Sequence, residues 1–132
     1  MKATVLRFIS TASLVLLASQ SAFAGDVIVI TNANINLTSS EVRDIYLGEK
    51  QFAGSAKLIP VDNAALQESF LAKMIQMSNA KYAGIWTKKS FRDGLTSPAM
   101  KSGDAEVIEY VKRTPGAVGY VASSPSGVNL VK

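Results

Sequence analysis

From residue 27 onward the apolar positions fall into two rhythms. Val27-Ile28-Val29-Ile30 is an unbroken β-branched run that stops at the polar Thr31-Asn32, the pattern of a strand buried on both faces and feeding a loop. Thr38-Ser39-Ser40-Glu41 has capping-box spacing. Val42, Ile45 and Tyr46 then recur at helical intervals and Gly48 can close the turn, which predicts a helix over about 39–47. Residues 49–56 hold Gly54 and Ser55 and read as a loop. Leu58-Ile59-Pro60-Val61-Asp62 reads as a short strand in which Pro60 favours an edge or a strand end.

The second half alternates in the same way. Leu66, Phe70, Met74 and Met77 form a helical stripe, widened by Leu71 and Ile75, that predicts a helix over about 64–76. Ser78 can cap a third helix carrying Tyr82, Ile85 and Trp86, which ends in the turn Arg92-Asp93-Gly94. Residues 95–103 read as a loop, and 104–113 as a fourth helix stopped by Thr114-Pro115-Gly116. Ala117 to Val121 and Val128 to Val131 read as closing strands. Strands separated by helices imply an α/β sandwich on a mostly parallel or mixed central sheet. There is no internal repeat, low-complexity tract or second-domain linker.

The first 24 residues stand apart from this pattern. Lys2 and Arg7 make a positive start, Leu14-Val15-Leu16-Leu17-Ala18 a short apolar stretch, and Ala22-Phe23-Ala24 a small-x-small cleavage pattern, so export with cleavage after Ala24 is expected. The apolar run is much shorter than the roughly 20 residues that span a bilayer, so membrane insertion is not expected once the segment is cleaved. A periplasmic domain over 25–132 remains.

Composition then narrows the chemistry. The 132 residues include neither Cys nor His, which removes thiolate nucleophiles, Ser-His triads, disulfides and His- or Cys-ligated zinc. Without Lys2 and Arg7 the 14 basic residues become 12 against 10 acidic, so the net charge of +4 falls to +2. The dense basic groups, Lys88-Lys89 with Arg92 and Lys112-Arg113, read as solvated helix ends, and no nucleic-acid partner is expected. No cofactor is expected either: there is no phosphate-cradling Gly-rich loop and no calcium loop.

Two strand-to-helix junctions could hold a small oxyanion, because free N–H groups and a positive dipole end gather there. After the first strand these are Thr31, Asn32, Ser39 and Ser40; after the second they are Asn63, Ala64 and Ala65. The plainer reading is that Thr38 caps its helix, the asparagines satisfy turns, and Asn63 caps the next helix. Ser78-Asn79-Ala80-Lys81 matches the Ser-x-x-Lys spacing of acyl-transfer enzymes, but companion motifs are missing and Ser78 reads better as a cap. Asp104, Glu106 and Glu109 fit the acid preference of a helix N-terminal half. The chain is expected to be non-enzymatic.

Three segments resemble the periplasmic phosphate-binding proteins of ABC importers, in particular short single-domain relatives. Ser40 to Lys50, with Ile45-Tyr46-Leu47-Gly48, is similar to that family's "I-[FY]-L-G-K" helix end. Leu58 to Asp62 followed by Ser69-Phe70-Leu71 is similar to its next strand and helix. Asp104 to Val111 leading into Pro115-Gly116-Ala117-Val118-Gly119-Tyr120-Val121 is similar to its closing "P-G-[AS]-[IV]-G-Y-V" turn and strand. In that last motif Pro115 stops the helix, Gly116 permits a positive φ, and Gly119 is expected to let another backbone approach.

The resemblance implies a solute-binding fold, phosphate or a similar small anion as ligand, and an ABC permease as partner. In the family an Arg and a Gly-Ser turn grip phosphate after the second strand. Here the position reads Asn63, followed by Ala64-Ala65-Leu66-Gln67. That departure motivates an alternative: an envelope protein-interaction or adaptor module that has kept the fold and lost the ligand.

Overall fold

The β-branched run forms β1 (Ile28–Thr31), with Val29 and Ile30 buried on opposite faces. The structure is a computed structural model that describes residues 26–132; the export segment read at residues 1–24 lies outside them. After β1 come α1 (Ser39–Tyr46), the hairpin strands β2 (Phe52–Ala53) and β3 (Ala56–Lys57), and β4 (Ile59–Asn63). Next are α2 (Gln67–Phe70), which runs on as a π-helical turn over Leu71–Ile75, and α3 (Asn79–Asp93). β5 (Ala99–Lys101), α4 (Asp104–Arg113), β6 (Ala117–Val121) and β7 (Asn129–Leu130) complete the order.

Five strands make one mixed sheet in the order β5-β4-β6-β1-β7. β4 is parallel to both β5 and β6, whereas β1 is antiparallel to β6 and to β7. The path from β4 to β5 runs through α2 and α3, and the return from β5 to β6 runs through α4. Each sheet face is therefore covered by helices.

Strand alternation sorts the core into two layers. Val29, Val118 and Tyr120 pack with Val42, Ile45, Tyr46, Phe70 and Ile75 under α1 and the π-helical turn. Ile30, Val61, Ala117 and Val121 pack with Val107 and Val111 of α4 on the other face. Phe70 stacks on Tyr120 with ring centroids 3.8 Å apart, and Tyr46 meets Phe70 edge-on at 4.7 Å. The Tyr46 hydroxyl donates to the carbonyls of Val61 (2.8 Å) and Val118 (3.2 Å), tying α1 to the two central strands.

Several elements depart from the sequence reading. The loop expected at 49–56 is largely taken up by the β2–β3 hairpin, which ends at Lys57, and the loop expected at 95–103 contains β5; all three strands are too short to show a period. The helix expected from 64 begins at Gln67. Asn63 delays it: its Oδ1 accepts the Ala65 N–H (3.0 Å) and its carbonyl accepts the Leu66 N–H (3.0 Å), forming a turn before the helix. Phe70, Leu71 and Ile75 are the fully buried residues of this segment, while Leu66, Met74 and Met77 pack at its margin. Pro60 lies at the start of the interior strand β4. The Ile59 N–H goes to Gly116 of the β6 turn, so Pro60 turns its missing donor toward the β5 side, where pairing begins only at Val61.

Gly116 takes a φ of +82°, as its motif requires. Gly119 is small for a different reason than expected: a Cβ there would lie 2.5 Å from Val107 Cγ1, so it is the α4 side chains that need the space. Among the described residues no helix is long and apolar enough to cross a membrane.

Candidate functional site

Two strand exits carry the polar residues singled out above, and both begin with the same alternation. In β1, Thr31 follows Val29 onto the α1 face and Asn32 turns to the α4 side. In β4, Asp62 turns to the α1–α3 side and Asn63 to α4.

At the first exit the Thr31 hydroxyl donates to the Ile35 carbonyl (3.0 Å). Asn32 donates to the carbonyls of Val111 (2.8 Å) and Lys112 (3.2 Å), and its oxygen accepts the Asn34 N–H. Both side chains are buried and act inside the fold. Ser39 and Ser40 are exposed at the start of α1. The Ser39 N–H donates to the Lys132 carbonyl, and the Ser40 hydroxyl pairs with that of Thr38 at 3.0 Å. The Glu41 carboxylate accepts from the Thr38 N–H (3.0 Å) and hydroxyl (2.9 Å), and these bonds hold it below its ordinary value. The positive end of α1 is therefore already met by a carboxylate of the chain itself.

At the second exit Asn63 is fully buried. Its amide donates to Asp104 Oδ1 (2.8 Å) and to the Tyr120 carbonyl (2.9 Å). Ala64 and Ala65 are exposed, but their N–H groups go to the Lys101 carbonyl and to Asn63 Oδ1. The expected donor cluster at a helix start is therefore absent from 63–65, because the turn uses those donors and α2 begins later.

The two exits do not converge. Thr31 pairs with Val118, and Val118 pairs with Pro60 at the opposite end of β4 from Asn63. Thr31 and Asn32 thus lie at the opposite end of the sheet from the 63–65 turn, whereas Ser39, bonded to the Lys132 carbonyl beside Ile28, begins α1 at the same end as that turn.

The β4 exit instead opens on a cleft of about 610 Å3 between α3 and β5, walled by Gln67, Tyr82, Trp86, Phe91 and Met100, with Asp62 at its floor. Asp62 Oδ2 accepts from the Tyr82 hydroxyl (2.9 Å) and Oδ1 from the Tyr120 hydroxyl (2.7 Å), and Gln67 adds a side-chain hydrogen bond. Burial pushes the Asp62 carboxyl up, against the pull of those donors. Burial and the adjacent carboxylate push both tyrosines well above their usual range, which keeps them as O–H donors. Among the residues lining this cleft Asp62 is the one that carries charge.

Sequence reasoning noticed Asp62 only as part of a junction. The signal was available: an acid inside an apolar five-residue strand must be buried or must end the strand, and a buried acid marks a candidate site. Tyr82 and Tyr120 sit in apolar stripes and give no such sign.

A second cleft, of about 470 Å3, lies toward the start of β4 between Leu58, Pro60, Trp86 and Leu95, with Lys50 and Lys57 among its walls. Ser78 caps α3, its hydroxyl accepting the Lys81 N–H at 3.2 Å. Asp104 accepts from Asn63 and from the Ala122 N–H, while Glu106 accepts from the Ser102 N–H and hydroxyl. No group of three or more acids among the described residues could hold a metal ion.

No family model matches the chain, and no curated protein does. Solved structures do. PstS from Borrelia burgdorferi aligns over 80% of this chain with a TM-score of 0.55 and 21% identity. A phosphate ABC transporter substrate-binding protein from Clostridium perfringens, determined with bound phosphate, aligns over 81% with a TM-score of 0.52 and 18% identity. This chain carries the fold of phosphate-transport binding proteins. An ABC-type phosphate transport receptor from Vibrio cholerae agrees, with a TM-score of 0.51 and 15% identity over 81% of the chain. The alignments cover 46%, 44% and 45% of those proteins, so the chain spans under half the length of each.

Proposed function

We propose that this protein is an exported, non-enzymatic, solute-binding-protein-like domain of the periplasm, related to phosphate uptake and carrying a degenerate phosphate motif. One observation carries the reading: nearly the whole described lobe aligns with phosphate-transport binding proteins, one of them with phosphate in place. An ABC permease is the partner this reading implies.

Of the seven candidate residues, Ser39, Ser40, Ala64 and Ala65 are exposed to an anion, whereas Thr31, Asn32 and Asn63 act from within. No arginine replaces Asn63, and each charge-assisted bond so lost is worth roughly 1.5–3 kcal/mol. Phosphate binding is therefore weak. Calorimetry on the chain from residue 25 should give millimolar association, reduced by Ser39→Ala with Ser40→Ala. Submicromolar affinity would overturn the degenerate motif, and absence of heat from folded protein would remove phosphate as a ligand.

The adaptor reading has its own support: the polar side chains at both strand exits are turned into the fold, while Phe52, Phe91 and Met100 are exposed. Co-purification from the envelope separates the two readings. A stoichiometric protein partner whose binding ignores phosphate favours the adaptor.

A further inference from the structure

We infer that the cleft between α3 and β5 binds a small organic cation, an ammonium group carried on an aromatic or apolar body. Its charge has one sign. Asp62 lies at the floor, and no lysine or arginine lines the walls. An anion entering there would meet a carboxylate with no neighbouring cation to offset it, whereas an ammonium would find a counter-ion in a place sheltered from water.

The carboxylate is also held in position. Tyr82, Tyr120 and Gln67 fill three of its roughly four acceptor directions, which leaves one for a ligand donor. Burial disfavours the ionised form of Asp62, and a bound cation would relieve that cost.

The walls suit the body of such a ligand. Tyr82 reaches the carboxylate through its hydroxyl, Trp86 lines the same cleft, and Phe91, with 95% of its surface exposed, lines it together with Met100 at 51%. Ring faces attract cations and apolar groups alike. Thr87, Ser90 and Ser97 supply hydroxyl oxygens that can accept further N–H groups. The volume of about 610 Å3 falls within the range of small-molecule sites, about 300–1,000 Å3. None of this depends on the phosphate reading.

Trp86 is the chain's single tryptophan and lines both clefts, so its fluorescence reports binding in either one and the Ser90→Lys variant below assigns the change to the α3–β5 cleft. The full mature chain is titrated with benzylammonium, benzoate and benzyl alcohol at neutral pH, with calorimetry alongside. Benzylammonium should give a saturable change and bind at least about tenfold tighter than either control, the equivalent of one decade in Kd. Excess inorganic phosphate should not displace it.

Asp62→Asn should abolish binding. Because that variant disturbs a buried network, Ser90→Lys provides an independent test: Ser90 is exposed on α3 and lines this cleft but not the second one. It should lower benzylammonium affinity about tenfold with an unchanged melting temperature. Equal affinity for benzoate or benzyl alcohol, no saturable response at millimolar benzylammonium, or unaltered affinity in Ser90→Lys would each overturn the inference.

Discussion

Thr31-Asn32 and Asp62-Asn63 are the same device at opposite ends of the sheet. Each pair sends its first side chain toward the α1–α3 face and its second toward α4. Asn32 holds the C-terminal end of α4 through the carbonyls of Val111 and Lys112, and Asn63 holds the N-terminal end through Asp104. The two differ in the residue before the asparagine. A hydroxyl at Thr31 closes on its own loop at Ile35, whereas a carboxylate at Asp62 needs donors from α3 and β6 and ends beneath an open cleft. One side-chain substitution in a shared pattern separates a sealed end from an end with chemistry.

The largest effect is expected at the sealed end. Gly116 donates its N–H to Asn34 Oδ1 (3.0 Å) at a φ of +82°, and a Cβ there would lie 2.0 Å from the backbone oxygen of Lys57. Gly116→Ala should cost about 4 kcal/mol in chemical denaturation, since both the backbone angle and the neighbouring chain must give way. At the other end of α4, the N-cap residue Gly103 has extended backbone and open space, so Gly103→Ala should cost no more than about 1 kcal/mol, the loss of a favoured N-cap residue. Equal losses at both glycines would break the contrast.

The asparagines themselves come next. Asn63→Ala removes partners from Asp104, the Tyr120 carbonyl and the Ala65 N–H around a fully buried side chain, and should cost about 3 kcal/mol. Asn32→Ala strips two helix-end carbonyls, one of them at exposed Lys112 and open to water, and should cost about 1.5 kcal/mol. Urea midpoints on the two variants measure the difference directly.

How much of this could be read in the sequence follows from what carries each feature. β1, α1, α4 and β6 were legible because their apolar periods, caps and stops agree. β5 was not. Its three residues Ala99-Met100-Lys101 are partly or fully exposed at the sheet edge, and only pairing with β4 makes them a strand. The candidate site was legible only as polar residues at strand exits. Which of them face inward depends on strand parity and on partners more than 40 residues away, such as Val111 for Asn32 and Asp104 for Asn63. The antiparallel placement of β1, which moves its exit to the far end of the sheet, has no local signature.

The smallest effect concerns pH, and it should have opposite sign at two carboxylates, Asp62 beneath the cleft and Glu41 at the start of α1. Burial raises the Asp62 carboxyl above its unfolded value of 3.8. In the window between those two values the folded chain takes up a proton before the unfolded chain does. Asp62 thus adds stability that is complete below the unfolded value and is lost as pH rises through the raised one. Glu41, lowered by its bonds to Thr38, contributes stability above its unfolded value of 4.5 and loses it as pH falls through the lowered one. Its effect is small because it sits at the surface. Melting temperatures of the wild type, Asp62→Asn and Glu41→Gln across the acid range test this. On acidification the wild type should gain on Asp62→Asn, and at lower pH it should lose ground to Glu41→Gln. Parallel curves for Asp62→Asn and wild type would mean that the carboxylate under the cleft is no harder to ionise than one in water, and the contrast between the two strand exits would reduce to hydrogen bonding alone.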